Sequence, residues 1–193
     1  MEFILASKNR HKAAEFSRIL TGHEVLLPKD LGINFDHEET GTTFLENSFA
    51  KAESLYKILK RPVISDDSGL CVPALNGEPG LFSSRYGMAH FGRKPSSAEQ
   101  IEYLLSKLEN ISDRKAFFVC AMTIYIDQYH FTIVQDTMDG IISKSPSGIG
   151  GFGYDPIFYI PELKKTAAEL GDFEKDKISH RGKAGKKILS LLS

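Results

Sequence analysis

Residues 115–143 read KAFFVCAMTIYIDQYHFTIVQDTMDGIIS, and this stretch decides the fold class. β-Branched and aromatic residues recur through it, and polar breaks divide it into three runs, 115–127, 129–138 and 139–143. Runs of this composition, separated by a few turn residues, are typical of strands joined by hairpins. We therefore predict three antiparallel strands here.

Helices and strands alternate upstream of this stretch. Phe3–Ala6 is a short apolar run that leads directly into a helical pattern with Asn9 as its N-cap. Further amphipathic helices are predicted over 43–60 and 96–108, each starting with the spacing of a capping box. Between them, PVISDD at 62–67 indicates a strand that ends in carboxylates. This alternation, followed by antiparallel strands, predicts an α/β or α+β fold with a mixed sheet.

The rest of the chain supplies loops and a last helix. Segment 69–95 is rich in Gly and Pro, which predicts loop with little regular structure. The glycine-rich segment 145–155 leads into an aromatic strand at 156–160, and a basic amphipathic helix is expected from about 181 to 192. With 193 residues and no repeat or linker, we expect one domain over 1–193, built as two intimate lobes.

Composition excludes several classes of protein. The 24 basic and 25 acidic residues give a net charge of −1, whereas duplex nucleic-acid binders usually carry a basic excess. No apolar run approaches the roughly 18 residues of a membrane span, and no secretory signal is visible. Cys71 and Cys120 lie in apolar stretches and are expected to be buried thiols in a reducing compartment. We expect a cytoplasmic globular protein that binds neither nucleic acid nor membrane. Binding of one small polyanion in a local positive pocket is compatible with this charge balance.

Cations and helix-start amides coincide at SKNRHK, residues 7–12. Unsatisfied N–H groups at a helix start favour an anion, and Lys8, Arg10 and Lys12 lie on the same turn. A polar cap with solvated lysines is the alternative, since the glycines of a P-loop are missing.

Carboxylates cluster at two places. Side chains alternate across a strand, so Asp66 and Asp67 of SDDSG are expected on opposite faces. Mg²⁺ is the natural counter-ion, because it binds through one or two carboxylates plus substrate phosphates. Glu38 and Glu39 supply further carboxylates just before the second helix. A simple Asp-Ser-Gly turn and a solvated acidic loop are the alternatives.

Two later segments suit a nucleoside. Phe152 and Tyr154 of GGFGYDP offer flat faces for a base, and the glycines permit close approach. An ordinary glycine-rich hairpin turn is the alternative for this segment. The segment EKDKISHRG, 174–182, concentrates hydrogen-bond donors, and a solvated basic face is the alternative there. Together with the cations and carboxylates, these features match what a Mg²⁺–nucleoside triphosphate requires. Neither zinc-ligand spacing nor a serine-hydrolase elbow is present.

Six motifs occur in an order that resembles the Ham1/RdgB-type inosine triphosphate pyrophosphatases. They are SxNxxKxxE (7–15), EETGxTFxEN (38–47), SDDSGL (65–70), GxPGxxSxRY (77–86), GGFGYDPIF (150–158) and TAAEL…EKxxISHRGxA (166–184). The resemblance implies Mg²⁺-dependent hydrolysis of ITP, dITP and XTP to the monophosphate and pyrophosphate. It also implies a two-lobed α/β fold around a long mixed sheet, an active site in the cleft, and a homodimer.

The resemblance also implies roles for individual residues. Asp67 would be the catalytic, metal-linked general base, and the glutamate metal ligand would be Glu38 or Glu39, with Glu38 favoured. Ser7 to Lys12 would hold the triphosphate, Phe152 to Asp155 would line the nucleoside pocket, and His180 and Arg181 would lie near the base. The implied substrate contacts are Ser7, Lys8, Asn9, Arg10, His11, Lys12, Ser68, Arg85, Phe152, Gly153, Tyr154, Asp155, Lys175, His180 and Arg181.

Two alternative functions stay open at this point. A Maf-type nucleotide pyrophosphatase would share the chemistry but prefer other bases, and FGYDPIF with SHRG speaks against it. A non-catalytic nucleotide sensor would be expected to lack the acidic side chains, yet Glu38, Glu39, Asp66 and Asp67 are all present. The departures from the family pattern, Ser7-Lys8 for Thr-Gly and Ser48 for Ala, remove no proposed functional group.

Overall fold

The computed structural model describes residues 1–192, and the chain divides into two compact units. The first unit comprises residues 1–68, 120–137 and those from 176 onward, and the second comprises 69–119 and 138–175. The single domain expected over 1–193 stays a prediction.

Within residues 1–192, seven strands form one mixed sheet: β1 (Glu2–Leu5), β2 (Glu24–Leu26), β3 (Val63–Cys71), β4 (Lys115–Asp127), β5 (His130–Ile142), β6 (Phe158–Ile160) and β7 (Lys165–Thr166). They hydrogen-bond in the order β2-β1-β3-β4-β5-β6-β7. β1 is parallel to β2 and β3, whereas β6 is antiparallel to β5 and β7. The predicted mixed sheet is confirmed. It is an open sheet with β2 and β7 as its edge strands.

The same residues contain six α-helices: α1 (Arg10–Ile19), α2 (Phe44–Leu59), α3 (Met88–Phe91), α4 (Ser97–Lys107), α5 (Asp172–Ile178) and α6 (His180–Leu192). All three predicted N-caps are confirmed. The Asn9 side chain caps α1, while Thr43 with Glu46 and Ser96 with Glu99 form the capping boxes of α2 and α4. The helices therefore begin where local hydrogen bonding satisfies their first amides.

The core of the first unit follows from the alternation of side chains along β1. Phe3 and Leu5 belong to a cluster with α1 and α6, whereas Ile4 packs in a second cluster with Ala52 and Leu55 of α2. All five side chains are fully buried, and a large apolar side chain stabilises the fold by about 1.5–3 kcal/mol when it is removed from water. In this unit α1 and α6 therefore cover one face of the sheet and α2 covers the other.

Two strand boundaries differ from the prediction. β3 does not end at its carboxylates but continues to Cys71. The runs predicted as separate strands at 129–138 and 139–143 form the single strand β5. Gly140 marks no turn there: a Cβ atom would lie 2.7 Å from the Phe158 ring, so glycine permits a close ring contact.

The segment 69–95 contains more regular structure than predicted. Residues 73–75 and 80–85 form 3₁₀ turns, and α3 follows. Cys71 and Cys120 are buried free thiols, as expected. Each helix within residues 1–192 is too short or too polar to cross a bilayer.

Candidate active site

Two adjacent carboxylates of β3 face opposite sides of the sheet, as the strand period requires. Asp66 contacts Lys12 of α1 and Arg181 of α6, whereas Asp67 contacts Asn47 and Lys51 of α2. These are the same two faces that the core clusters define. The two acids therefore have separate environments although they are consecutive in the chain.

The Asp66 carboxylate is paired with two cations, the partly buried Lys12 and the buried Arg181. Lys12 Nζ lies 2.9 Å from Oδ1, Arg181 Nη2 lies 2.9 Å from Oδ2, and the Ser68 hydroxyl donates to Oδ2 at 2.9 Å. Burial alone would raise the pKa of Asp66, but Lys12 and Arg181 outweigh it and hold that pKa far below its usual range. Asp66 thus contacts side chains of two helices, α1 and α6, and its low pKa favours the ionised carboxylate.

Arg181 lies at the centre of this network and is only 2% exposed. Its guanidinium donates to Asp66 through Nε and Nη2, to Ser68 through Nη2 at 2.8 Å, and to Glu15 through Nη1 at 2.5 Å. These contacts use four of its five N–H groups. The structure therefore brings Arg181 and Ser68 together with Lys12, and a contact of Arg181 with a base stays a prediction.

Asp67 has a different chemical character. Asn47 Nδ2 donates to Oδ2 at 3.0 Å, and Lys51 Nζ lies 3.4 Å from Oδ1. Burial is the main cause that raises the pKa of Asp67; Lys51 lowers that pKa and the nearby Glu39 raises it. The pKa values of these adjacent carboxyls therefore shift in opposite directions, which suits them to different roles. Asp66, with the lowered pKa, is suited to be a structural anion, and Asp67, with the raised pKa, is the candidate proton acceptor.

Lys51 joins Asp67 to the acidic loop before α2. Its buried ammonium donates to Glu39 Oε1 at 2.8 Å and to the Asp66 carbonyl oxygen at 2.8 Å. Burial lowers the pKa of Lys51, but Asp67, Asp66 and Glu39 together raise it above its ordinary value. The structure thus brings Glu39, and not the exposed Glu38, into the surroundings of Asp67.

The backbone amides at the start of α1 are partly occupied by the cap. Asn9 Oδ1 accepts from the amides of His11 at 2.9 Å and Lys12 at 3.4 Å, and Ser7 Oγ accepts from the Asn9 amide at 3.0 Å. An anion at this turn would therefore rely on cationic side chains as well as on the helix dipole.

The basic side chains of this turn, Lys8, Arg10 and Lys12, point in two directions, and His11 lies beside them. Lys8 lies 3.2 Å from Asp36 at the surface, and Arg10 and His11 are exposed. Lys12 is directed to buried Asp66 instead. The predicted phosphate segment is therefore divided between surface cations and one inner ion pair.

The second unit contains the other predicted cluster. Asp155 Oδ2 accepts from the Phe152 amide at 2.8 Å and from Lys175 Nζ at 2.7 Å, and this Nζ lies 5.1 Å from the centre of the Phe152 ring. Gly151 has a φ of 69°, and a Cβ atom there would lie 2.1 Å from Asp155 Oδ2. The Asp155–Lys175 pair therefore fixes the loop that carries Phe152.

Other predicted residues occupy less accessible or separate positions. Tyr154 is buried and donates to the Ser83 carbonyl oxygen at 3.0 Å, so its ring belongs to the core of the second unit. His180 is buried in the first turn of α6. Arg85 lies with its guanidinium 5.0 Å from the ring centre of exposed Phe82, and Gly153 has a φ of 62° in the glycine-rich loop.

Sequence reasoning missed three residues that contact the carboxylates or their partners: Asn47, Lys51 and Glu15. Asn47 and Lys51 are four residues apart and therefore lie on one face of α2. Both are buried, beside the apolar stripe. Two polar residues on one buried face of α2 are therefore the sequence feature that could have indicated Asn47 and Lys51 as site residues.

The sequence of this chain is similar to those of known proteins. A family model described as the Ham1 family matches residues 3–191. The dITP/XTP pyrophosphatase of Treponema denticola is 50% identical over 184 residues, covering 95% of this chain and 94% of that protein. The dITP/XTP pyrophosphatase of Legionella pneumophila is 44% identical over 195 residues, covering 99% and 98%.

Solved structures show the same fold. The Staphylococcus aureus Ham1 protein superposes with a TM-score of 0.87 at 43% identity, covering 100% of this chain and 98% of that one. A HAM1 protein from Coxiella burnetii gives a TM-score of 0.88 at 40% identity, with coverage of 100% and 98%.

Proposed function

Because the chain belongs to the Ham1 family, we propose that it hydrolyses non-standard purine nucleoside triphosphates (dITP, ITP and XTP) to the monophosphate and pyrophosphate. The observation that carries this proposal is the pair of β3 carboxylates with opposite pKa shifts. Lys12 and Arg181 hold the pKa of Asp66 low. Burial raises the pKa of Asp67, which lies near Glu39. The names of the curated relatives support the substrate class.

Asp67 is the proposed general base. Its carboxylate takes the proton of a water molecule as the water oxygen attacks the α-phosphorus and the bond to the bridging oxygen of the β-phosphate breaks. The pyrophosphate leaves with that electron pair. General-base assistance contributes about 10²–10⁴ in rate.

The carboxylates fit Mg²⁺. Lys51 Nζ contacts both Glu39 and Asp67, so their oxygens already converge on one cationic group. No cluster of three or more His, Cys, Asp or Glu side chains within residues 1–192 is arranged to hold a metal, and Mg²⁺ commonly uses one or two carboxylates plus substrate phosphates. When bound, the ion neutralises charge on the phosphate oxygens. Glu39 and Asp67 are the residues that we propose would hold it.

The remaining predicted residues are assigned by their chemistry. Lys8, Arg10 and His11 supply exposed donors for the phosphates at the start of α1, whose dipole favours negative charge. Phe152 offers a ring face for stacking, since Lys175 and Asp155 hold its loop. Lys12, Ser68 and Arg181 sustain the Asp66 network.

Base selectivity is proposed to depend on hydrogen-bond donors. Hypoxanthine and xanthine carry a 6-keto oxygen, whereas the 6-amino group of adenine would face a donor. A site made to pair a polar group rejects an unsuitable analogue by roughly 10⁴. His180 and Arg181 are the proposed donors, and Arg181 would exchange one of its contacts in the Asp66 network for the base. Exclusion of guanine would depend on its 2-position.

A homodimer and a cytoplasmic location are part of the same proposal. A homodimer is supported by the family resemblance alone. A cytoplasmic location is supported by two buried cysteines that form no disulfide, since free thiols are typical of reducing compartments.

Product analysis tests the proposed function. The full-length protein is incubated with ITP, dITP, XTP, ATP or GTP in Mg²⁺ and followed by phosphorus NMR. We expect monophosphate and pyrophosphate from the first three, with ATP turned over far more slowly. Release of orthophosphate, preference for other bases as in a Maf-type enzyme, or binding without turnover would contradict the proposal.

A further inference from the structure

Asn47 connects the two segments that carry the proposed metal ligands. It lies in the first turns of α2 and is buried. Its Nδ2 donates to Asp67 Oδ2 at 3.0 Å, and its Oδ1 accepts from the Gly41 amide at 2.8 Å. One side chain thus contacts β3 and the loop that contains Glu39.

The orientation of the Asn47 amide is determined by chemistry. A backbone N–H can only donate, so the group that faces Gly41 must be the amide oxygen. The amide nitrogen then necessarily faces Asp67, where it donates to the carboxyl oxygen Oδ2. Reversing the amide would oppose donor to donor at Gly41 and acceptor to acceptor at Asp67.

The space around this amide is closed on the loop side. A Cβ atom at Gly41 would lie 2.6 Å from Asn47 Oδ1. The loop backbone at Gly41 therefore lies so close to the Asn47 amide that a larger residue at position 41 would clash with it. Because Gly41 is two residues from Glu39, displacement of this contact moves the segment that carries Glu39.

We propose that Asn47 is a positioning residue that sets the orientation of Asp67 and its separation from Glu39 for Mg²⁺. This inference rests on the proposed function. The amide holds Oδ2 of Asp67, while Oδ1 lies toward Lys51. Groups that orient metal ligands typically contribute 10–100-fold to metal affinity or activity.

The neighbouring residue supplies a matched control. Ser48 is equally buried in the same helical turn, and its hydroxyl lies 2.8 Å from Thr123 Oγ1 and 3.2 Å from Ser65 Oγ. The groups that its hydroxyl contacts are two hydroxyls and the Ser65 carbonyl oxygen, and none of them is a carboxylate. Ser48→Ala therefore removes a buried polar group of α2 without touching Asp67 or Glu39.

The test measures Mg²⁺ binding as well as turnover. Mg²⁺ alone is titrated calorimetrically into wild type, Asn47→Ala, Ser48→Ala and Gly41→Ala, each in the full-length chain, and kcat and KM for ITP are measured across Mg²⁺ concentrations. We expect Asn47→Ala to weaken Mg²⁺ binding by about 10–100-fold, with lost turnover partly recovered at high Mg²⁺. Ser48→Ala is expected to bind Mg²⁺ like wild type.

Gly41→Ala provides a second route if Asn47→Ala does not fold, because it retains the amide but displaces it. It is expected to weaken Mg²⁺ binding in the same direction. Wild-type Mg²⁺ affinity in both Asn47→Ala and Gly41→Ala, or equal loss in Ser48→Ala, would overturn the positioning role while leaving the proposed function intact. A wild type that neither binds Mg²⁺ nor hydrolyses ITP would overturn both.

Discussion

Lys12 Nζ lies 2.9 Å from Asp66 Oδ1, and both side chains are largely withdrawn from water. A lysine that the motif pattern assigns to phosphate is therefore paired with the inner carboxylate of β3. Arg181 binds the same carboxylate. Two cations on one acid hold the pKa of Asp66 far below its usual range, which supports Asp67 rather than Asp66 as the proposed proton acceptor.

The Asp66 network makes a prediction about stability. Asp66→Asn leaves Arg181 and Lys12 with reduced compensation in a buried site, and breaking a buried ion pair costs roughly 3–5 kcal/mol. Urea unfolding should show a loss of about that size. Asp136→Asn, which breaks a partly exposed pair with Lys187, is the control and should cost about 0–1 kcal/mol. Equal losses in the two variants would show that the network does not stabilise the fold as described.

Asp67→Asn separates catalysis from folding. The substitution removes the proposed proton acceptor, so kcat with ITP should fall by at least about 100-fold. The melting temperature should not fall, because burial already disfavours the charged form of Asp67. Asp139→Asn, at an exposed position, is the control and should retain wild-type turnover. A kcat near the wild-type value in Asp67→Asn would remove this residue from the mechanism.

Phe152 is expected to stack on the purine. Base–aromatic stacking is worth about 1–3 kcal/mol per base, so Phe152→Ala should lower kcat/KM for ITP by roughly 5–150-fold. Steady-state kinetics provide the measurement. Phe173→Ala, a change at a ring that is 74% exposed in the same unit, should have little effect. Similar kinetics for both variants would exclude Phe152 as the stacking surface.

Glu99 gives a pH-dependent contribution to stability. Its hydrogen bonds with Arg93 and with Ser96 lower its pKa to about 2. Since the folded pKa lies below the unfolded one of about 4.3, the stabilisation is present above pH 4.3 and is lost as pH falls toward 2. The melting temperature of wild type should be higher than that of Glu99→Gln at pH 7, and this difference should be smaller at pH 3.5.

The control for this prediction is Glu102→Gln, an exposed position on the same helix. It should show no comparable dependence on pH. A difference between wild type and Glu99→Gln that stays constant from pH 7 to 3.5 would show that the carboxylate charge is not what stabilises α4.

Local rules predicted much of this structure from the sequence. The caps at Asn9, Thr43 and Ser96 depend on residues within a few positions, and the opposite faces of Asp66 and Asp67 follow from strand geometry alone. The motif order identified the family, which the comparisons confirm. These features require no knowledge of what lies across the fold.

Partners that are distant in sequence could not be predicted in this way. The contact of Arg181 with Asp66 spans 115 positions, and that of Lys175 with Asp155 spans 20. Nothing local in the sequence shows which carboxylate pairs with each of these two cations, and their contact with substrate stays a prediction. Similarly, the proposal of Glu39 rather than Glu38 as a metal ligand rests on the contact that Lys51 of α2 makes with Glu39.

The position of water attack tests the central claim most directly. Hydrolysis of ITP in ¹⁸O-enriched water with Mg²⁺ is followed by mass spectrometry of both products. Attack at the α-phosphorus predicts one solvent oxygen in the monophosphate and none in the pyrophosphate. Label in pyrophosphate, or in released orthophosphate, would contradict the account.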